Sequence, residues 1–282
     1  MVKQWLKYRD RVNGGIDQVI FNIGYRFVQM FYSSGQAAIF AYQSIKLVGQ
    51  KPYRFDEIIR HMEFIGNRSI LIICLTGAFT GLALSYQIYL GFNLVNATNL
   101  VGPTVALGIS RELGPVLTGL LVSARAGGAM AARLGTMRVS EQIDALEVMG
   151  IDPKQYLVAP RVIAAFITMP LLCAVFDFVA MLGASLLCVN VLGLDEAVFW
   201  DKVQAWIEPR DINQGMFKSA VFGLTFAAIC CNKGFYAKGG AKGVGEATNE
   251  GVVNSMVLII VLNYILTNFI RFYLLMIGST NT

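Results

Sequence analysis

Residues 102–135 read GPTVALGISRELGPVLTGLLVSARAGGAMAARLG. The stretch is long and apolar enough to cross a bilayer core, which needs about 20 helical residues, yet it carries Arg111, Glu112 and Arg125. Pro103 and Pro115 each follow a glycine. Proline removes a backbone donor and the glycine before it loosens the helix, so the spacing predicts a kinked helix. Irregular backbone at membrane depth survives only where protein or a water-filled cavity surrounds it. Further along, Gly127, Ala131 and Gly135 recur at every fourth position, beside a second small-residue stripe of Ala124, Gly128 and Ala132. Small-xxx-small stripes let helix backbones approach closely. The stripe serves either packing within one subunit or a homodimer seam.

The rest of the chain agrees with a membrane reading. It has 282 residues, 55% of them hydrophobic and only 15% charged, where soluble domains carry about a quarter charged. Apolar runs at 69–92, 104–135, 157–192, 215–233 and 252–277 give about five transmembrane helices. If the N-terminus is cytoplasmic, the inside segments 1–68, 133–161 and 233–250 hold ten, four and three Lys or Arg residues. The outside segments 93–103 and 193–214 hold only Lys202 and Arg210. The positive-inside rule therefore places the N-terminus in the cytoplasm and the C-terminus, with a short tail at 278–282, on the far side. Residues 1–68 interleave basic residues with Trp5, Tyr8, Tyr25, Phe27, Phe31 and Tyr32, as expected of interfacial helices on an anionic bilayer surface. No cleavable signal is evident in MVKQWLKYRDRVNGG. The formal charge of +5 is spread in this topological pattern and does not point to nucleic acid. The fold class is an all-α integral membrane protein.

Charges inside the apolar runs mark functional candidates, because each costs roughly 2.5–3.5 kcal/mol at a helix centre unless it finds a partner or a polar cavity. Asp177 is the deepest, and an interhelix ion pair is its expected role. Glu112 lies in the glycine-rich, kinked segment and is expected to line a cavity with Arg111. Lys218 near the outer end of the fourth run either snorkels or faces an anionic headgroup. Cys74, Cys173, Cys188, Cys230 and Cys231 all lie in apolar runs without metal-ligand spacing, so they are packing residues and no metal site is expected.

Between the second and third runs, MRVSEQIDALEVMGIDPKQYLVAPR (137–161) contains a short polar helix. Ser140 is the expected N-cap, Glu141 and Asp144 fall in the first turn, and Gly150 ends the helix. Ile143, Leu146 and Met149 share one face; Glu141, Asp144 and Glu147 share another. A capped helix over 140–150, tethered to membrane helices at both ends, suits the reception of a push from a cytoplasmic partner; a surface loop that happens to be helical is the alternative. The other inside segment, NKGFYAKGGAKGVGEATNEGVV, is glycine-rich, but the chain contains no Gly-Lys dipeptide and hence no phosphate loop. Any ATP is bound by a partner.

The run RELGPVLTGLLVSARAGGAMAARLGTMRVSEQIDALEVMGIDPKQYLVAPR, followed by GGAKGVGEATNEGVVNSM, resembles the signature regions of the MlaE/YrbE family, over roughly residues 50–277. These are permease subunits of ABC lipid transporters that work with Mce-domain proteins. The resemblance implies a homodimer in the inner membrane of a double-membraned bacterium, a cytoplasmic ABC ATPase subunit that carries ATP and Mg, a periplasmic Mce-domain protein, and phospholipid as cargo, with no cofactor on this chain itself. It makes 140–150 the coupling helix, presenting Glu141, Gln142, Asp144, Leu146, Glu147 and Met149 to the ATPase. Glu112 matches the glutamate of the R-E-L-G-P motif, which begins at Arg111, near a lipid cavity between subunits. Lys218 matches a lysine of some members and Asp177 an aspartate common in the third helix. Asn263 stands where members often have aspartate, which puts a charge-dependent role for that helix in doubt. Two alternatives stand beside the permease: an intramembrane lipid-modifying enzyme and a non-transporting scaffold. The single histidine, His61, and the lack of a Ser/His/Asp or HExxH arrangement speak against the enzyme. The scaffold would not need the acidic helix.

Overall fold

The computed structural model describes residues 54–276 without a break, together with eight isolated positions between Gly24 and Lys46. The interfacial helices expected over the N-terminal region lie largely outside the described residues, as does the tail at 278–282. Five helices are long and apolar enough to cross a membrane. They are α1 (Phe55–Asn93), α2 (Thr98–Val139), α4 (Lys154–Asn190), α6 (Pro209–Phe235) and α7 (Gly240–Met276). Two shorter helices complete the chain: α3 (Gln142–Val148) between α2 and α4, and α5 (Glu196–Trp206) between α4 and α6.

The helices overrun the apolar stretches seen in the sequence. Helix α1 starts at Phe55, so the charged segment that carries Glu57, Arg60 and Arg68 is the first part of the first membrane helix. At about 1.5 Å per residue its 39 residues span roughly 58 Å, well beyond a core of about 30 Å. The glycine-rich segment after α6 is likewise mostly helix. Only a turn at 236–239 separates α6 from α7, with Gly239 and Gly240 at φ of 93° and 66°. Backbone in that left-handed region suits glycine because an L side chain would crowd the carbonyl.

Helix α2 stays helical past both Gly-Pro steps, from Thr98 to Val139. Two π-helical turns interrupt its α-helical register: Ile109–Leu113, just before the Gly114-Pro115 step, and Ser123–Gly127, away from either step. At the first, the Gly114 N–H reaches back to the Ile109 carbonyl. Pro115 follows, and it has no N–H to offer the Arg111 carbonyl four residues earlier. Such bulges push side chains out of register and recur at functional sites.

Helix α6 is the middle of the bundle: 67% of its apolar stretch is buried, against 11% for α7. Close backbone approach explains the small residues. A Cβ on Gly215 would stand 2.1 Å from the Ser110 carbonyl oxygen, and one on Gly234 2.4 Å from that of Ala131. Gly81 of α1 meets the Ala180 backbone of α4 in the same way. Gly127 packs on Phe226 and Cys230, and Gly135 on Ala237 and Val244. Of the two roles open to the Gly127–Ala131–Gly135 stripe, packing inside this chain is the one it performs.

Helix α5 closes the end of the bundle opposite α3. Asp195 caps it by accepting the Val198 N–H at 3.0 Å, and Phe199 and Val203 bury against Gly102 of α2.

Candidate functional site

The first π-helical turn of α2 carries Arg111 and Glu112, and both reach α6. Lys218 of α6 is only 2% exposed. Its ammonium donates to Glu112 Oε1 at 2.8 Å, to the Arg111 carbonyl at 2.9 Å and to Thr267 Oγ1 at 2.7 Å. An ammonium has three hydrogens, so the cation is fully satisfied, one of its acceptors being the carbonyl that Pro115 leaves open. Lys218 therefore neither snorkels nor faces a headgroup; it is locked inside the protein. Its partner differs, because the Glu112 side chain keeps 40% of its exposure. The second carboxylate oxygen takes the Asn263 amide at 2.9 Å, and Thr267 Oγ1 lies 3.0 Å from Oε1. Asn263 and Thr267 are one turn apart on α7, so both face the same carboxylate. A neutral amide serves at 263 because Lys218 already supplies the positive charge.

Arg111 turns the other way. Its Nε and Nη2 donate to Asp211 Oδ1 at 3.0 and 2.8 Å, and Asp211 is buried. Asp211 is itself half of a capping box: its Oδ2 accepts the Glu208 N–H at 3.1 Å at the start of α6, with Pro209 in the first helical turn. The bulge is thus bolted to the α6 N-terminus through Arg111 and to the α6 interior through Lys218. The result is a half-exposed carboxylate held rigidly between α2, α6 and α7. Sequence reasoning had missed Asp211 and Thr267. The run Glu208-Pro-Arg-Asp211 is a capping-box signature that points to the first, and Asn263 to Thr267 at helical spacing points to the second.

Asp177 does not join this cluster, and the expected ion pair is not there. No cation faces its carboxyl among the described residues. Among the described residues Oδ1 has no hydrogen-bond partner and Oδ2 has only the Cys173 thiol at 3.8 Å. The carboxyl packs instead on the backbone at Gly114, where a Cβ would fall 1.8 Å from Oδ1. Asp177 thus touches the exit of the π turn as a packing neighbour.

The short helix at the other end of α2 also differs in detail. Ser140 does not cap it; its hydroxyl donates to the Thr136 carbonyl at 2.8 Å and so finishes α2. Glu141 takes a left-handed conformation, φ 58°, which makes the corner, and the helix begins at Gln142. Gly150, φ 76°, ends it as expected: its N–H donates to the Glu147 carbonyl and that of Ile151 to Leu146. Ile143 is fully buried, Leu146 packs on the core, and Asp144 pairs with Arg138 of α2. Gln142, Glu147, Val148 and Met149 are exposed. The helix is pinned on one side and bare on the other.

Five membrane-length helices packed around an ion-pair cluster define an all-α, multi-pass membrane protein. The chain belongs to the MlaE permease family, whose model, described as Permease MlaE, matches residues 58–269. A probable ABC transporter permease protein of Rickettsia conorii is 40% identical over 253 residues, which covers 88% of this chain and 98% of that protein. The intermembrane phospholipid transport system permease protein MlaE of Haemophilus influenzae is 34% identical over 248 residues, 87% of this chain and 94% of the relative. The chloroplastic protein trigalactosyldiacylglycerol 1 of Arabidopsis thaliana is 40% identical over 211 residues, 75% of this chain and 60% of that protein.

Proposed function

We propose that this chain is the membrane subunit of an ABC transporter that moves phospholipid between the inner membrane and a periplasmic Mce-domain carrier. It works as a homodimer, and a cytoplasmic ATPase subunit binds and hydrolyses ATP with Mg. The N-terminus and α3 lie on the cytoplasmic side and the C-terminus on the periplasmic side. The observation that carries the reading is that one unbroken rod, α2, holds the Glu112 cluster and ends at α3. The 27 residues from Glu112 to Val139 span about 40 Å. A push on the bare face of α3, through Gln142, Glu147, Val148 and Met149, moves Arg111 and Glu112 further along the same helix. Glu112 is the polar contact offered to the lipid, and Lys218, Asn263 and Thr267 hold it in place. The names of the Rickettsia and Haemophilus relatives, an ABC transporter permease and a phospholipid transport permease, support the ABC and phospholipid parts of the proposal.

The test is purification of the tagged protein from its native membrane in gentle detergent, with mass spectrometry of co-purifying proteins and lipids. A Walker-motif ATPase and an Mce-domain protein, with diacyl lipid bound, are the expected companions. The chain alone in every detergent, with no ATPase, would remove the role given to α3 and return the enzyme and scaffold readings to contention.

A further inference from the structure

Three guanidinium groups converge on one aromatic ring at the α3 end of the bundle. Arg133, Arg125 and Arg68 lie 4.4, 5.3 and 5.6 Å from the centroid of Phe64. Among the described residues, none of the three is paired with a carboxylate. On α1, Glu57 is bonded to Arg60, and Glu63, exposed beside Phe64, forms no ion pair among the described residues. A ring face attracts each cation but does nothing for the repulsion among them. An anion does.

The three arginines are not equivalent. Arg125 is anchored: its Nε donates to Ser69 Oγ at 2.9 Å and its Nη2 to the Phe64 and Ile65 carbonyls at 2.7 and 3.2 Å. The second π-helical turn of α2, Ser123–Gly127, delivers it there. Nη1 keeps its hydrogens free among the described residues. Arg68 and Arg133 are exposed and make no hydrogen bond among the described residues. One guanidinium is thus anchored, with an open edge, and two exposed ones flank it. Such forks match the oxygens of a phosphate in pairs.

What lies beside the cluster says which phosphate. Arg68, Leu71, Ile72, Leu75 and Phe79 follow one another at helical spacing on one face of α1, and the four apolar ones are all exposed. An apolar face of this length that starts at a basic triad has the polarity of a lipid, headgroup first and acyl chains after. The depth agrees. Arg133 stands six residues, about 9 Å, from the α3 end of the rod, the level at which arginines meet the headgroups of that leaflet.

We propose that Arg68, Arg125 and Arg133 form a binding site for the phosphate of an anionic phospholipid in the leaflet on the α3 side, with the acyl chains lying along Leu71, Leu75 and Phe79. On the orientation given above this is the cytoplasmic leaflet. The site is distinct from the Glu112 cluster, since Glu112 lies 13 residues before Arg125 on α2, about 20 Å along the helix, and it stands whether or not the transport reading does.

The test uses the full-length protein in nanodiscs of phosphatidylcholine that contain a trace of fluorescent phosphatidylglycerol, with energy transfer from a dye placed on α3 as the readout of occupancy. Native mass spectrometry of the detergent-released protein counts the lipids retained per chain. The wild-type protein retains phosphatidylglycerol in preference to phosphatidylcholine. The exposed pair Arg68→Gln with Arg133→Gln loses that preference: each near-surface arginine contributes about a fivefold factor, so the double variant falls roughly twenty-five-fold. Arg60→Gln, outside the cluster, leaves it unchanged. Lack of preference in the wild-type protein, or equal retention by the double variant, overturns the proposal. Displacement of the lipid by inorganic phosphate at physiological concentration overturns it too, since the site would then belong to a soluble anion.

Discussion

Removing Lys218 and removing Glu112 have unequal consequences, although each breaks the same ion pair. Lys218 is 2% exposed and Glu112 40%. Glu112→Gln strands a buried ammonium whose remaining acceptors are neutral: the Arg111 carbonyl, Thr267 and the new amide. Loss of one member of a buried pair costs about 3–5 kcal/mol, and the full range applies because this cation has no route to water. Lys218→Met leaves a carboxylate that still holds the Asn263 amide and Thr267 and still reaches solvent. Solvent screening reduces its cost to about 1–2 kcal/mol. The double variant replaces ion and counter-ion together and falls between the two, with a coupling of at least 1 kcal/mol. Fluorescence-detected unfolding of the detergent-solubilised protein, across a denaturant series for the four members of the cycle, measures the order. The reasoning fails if Lys218→Met is the less stable single variant, or if the two losses simply add.

The other predictions rest on different contacts. Gly215→Ala places a methyl 2.1 Å from the Ser110 carbonyl oxygen, which as backbone cannot swing away. A loss of about 3 kcal/mol or more is expected by the same unfolding assay, whereas Gly91→Ala, with open space around it, is neutral or slightly stabilising. Asp177→Asn keeps or raises stability, because it replaces a carboxyl that has no cation partner by a group cheaper to bury; a loss above about 1 kcal/mol points to a counter-ion that the geometry does not contain. Gly114→Ala strains the bulge against Asp177 Oδ1, and Asp177→Ala added to it restores stability, so additive losses would contradict the packing role. Reversing Glu141, Asp144 and Glu147 to lysine sacrifices one exposed pair, with Arg138, worth under about 1 kcal/mol. The triple variant is therefore expected to insert and fold but to lose its ATPase in pull-down, and normal association would contradict the docking of α3.

The membrane helices, the short polar helix with its Gly150 stop, and Arg111, Glu112 and Lys218 as special charges were all legible without coordinates. Each is a local property: an apolar run is a run, a charge within it is costly wherever it sits, and a glycine at a positive φ is a single-residue matter. The misreadings share one cause. Ser140 was expected to cap the helix after it, but its hydroxyl found the carbonyl of the helix before it. The Gly114-Pro115 step signals irregular backbone, but only the packed helix shows its form, a π turn with Gly215 of α6 against the Ser110 carbonyl. Asp177 suggested an ion pair because it is a charge in an apolar helix. The cation nearest in kind, Lys218, was claimed by Glu112, 106 residues earlier in the chain.

Hydropathy and charge act on each segment separately, so the class of protein, the helices and the residues whose burial needs explaining can be read along the chain. Which of those residues meet depends on how the helices pack. It joined Glu112 to Asn263 across 151 positions and Arg111 to Asp211 across 100, and it gathered three arginines on Phe64. Ion pairing is a matter of a few ångströms in space, and how α2, α6 and α7 lie against one another is set by where glycines let their backbones touch.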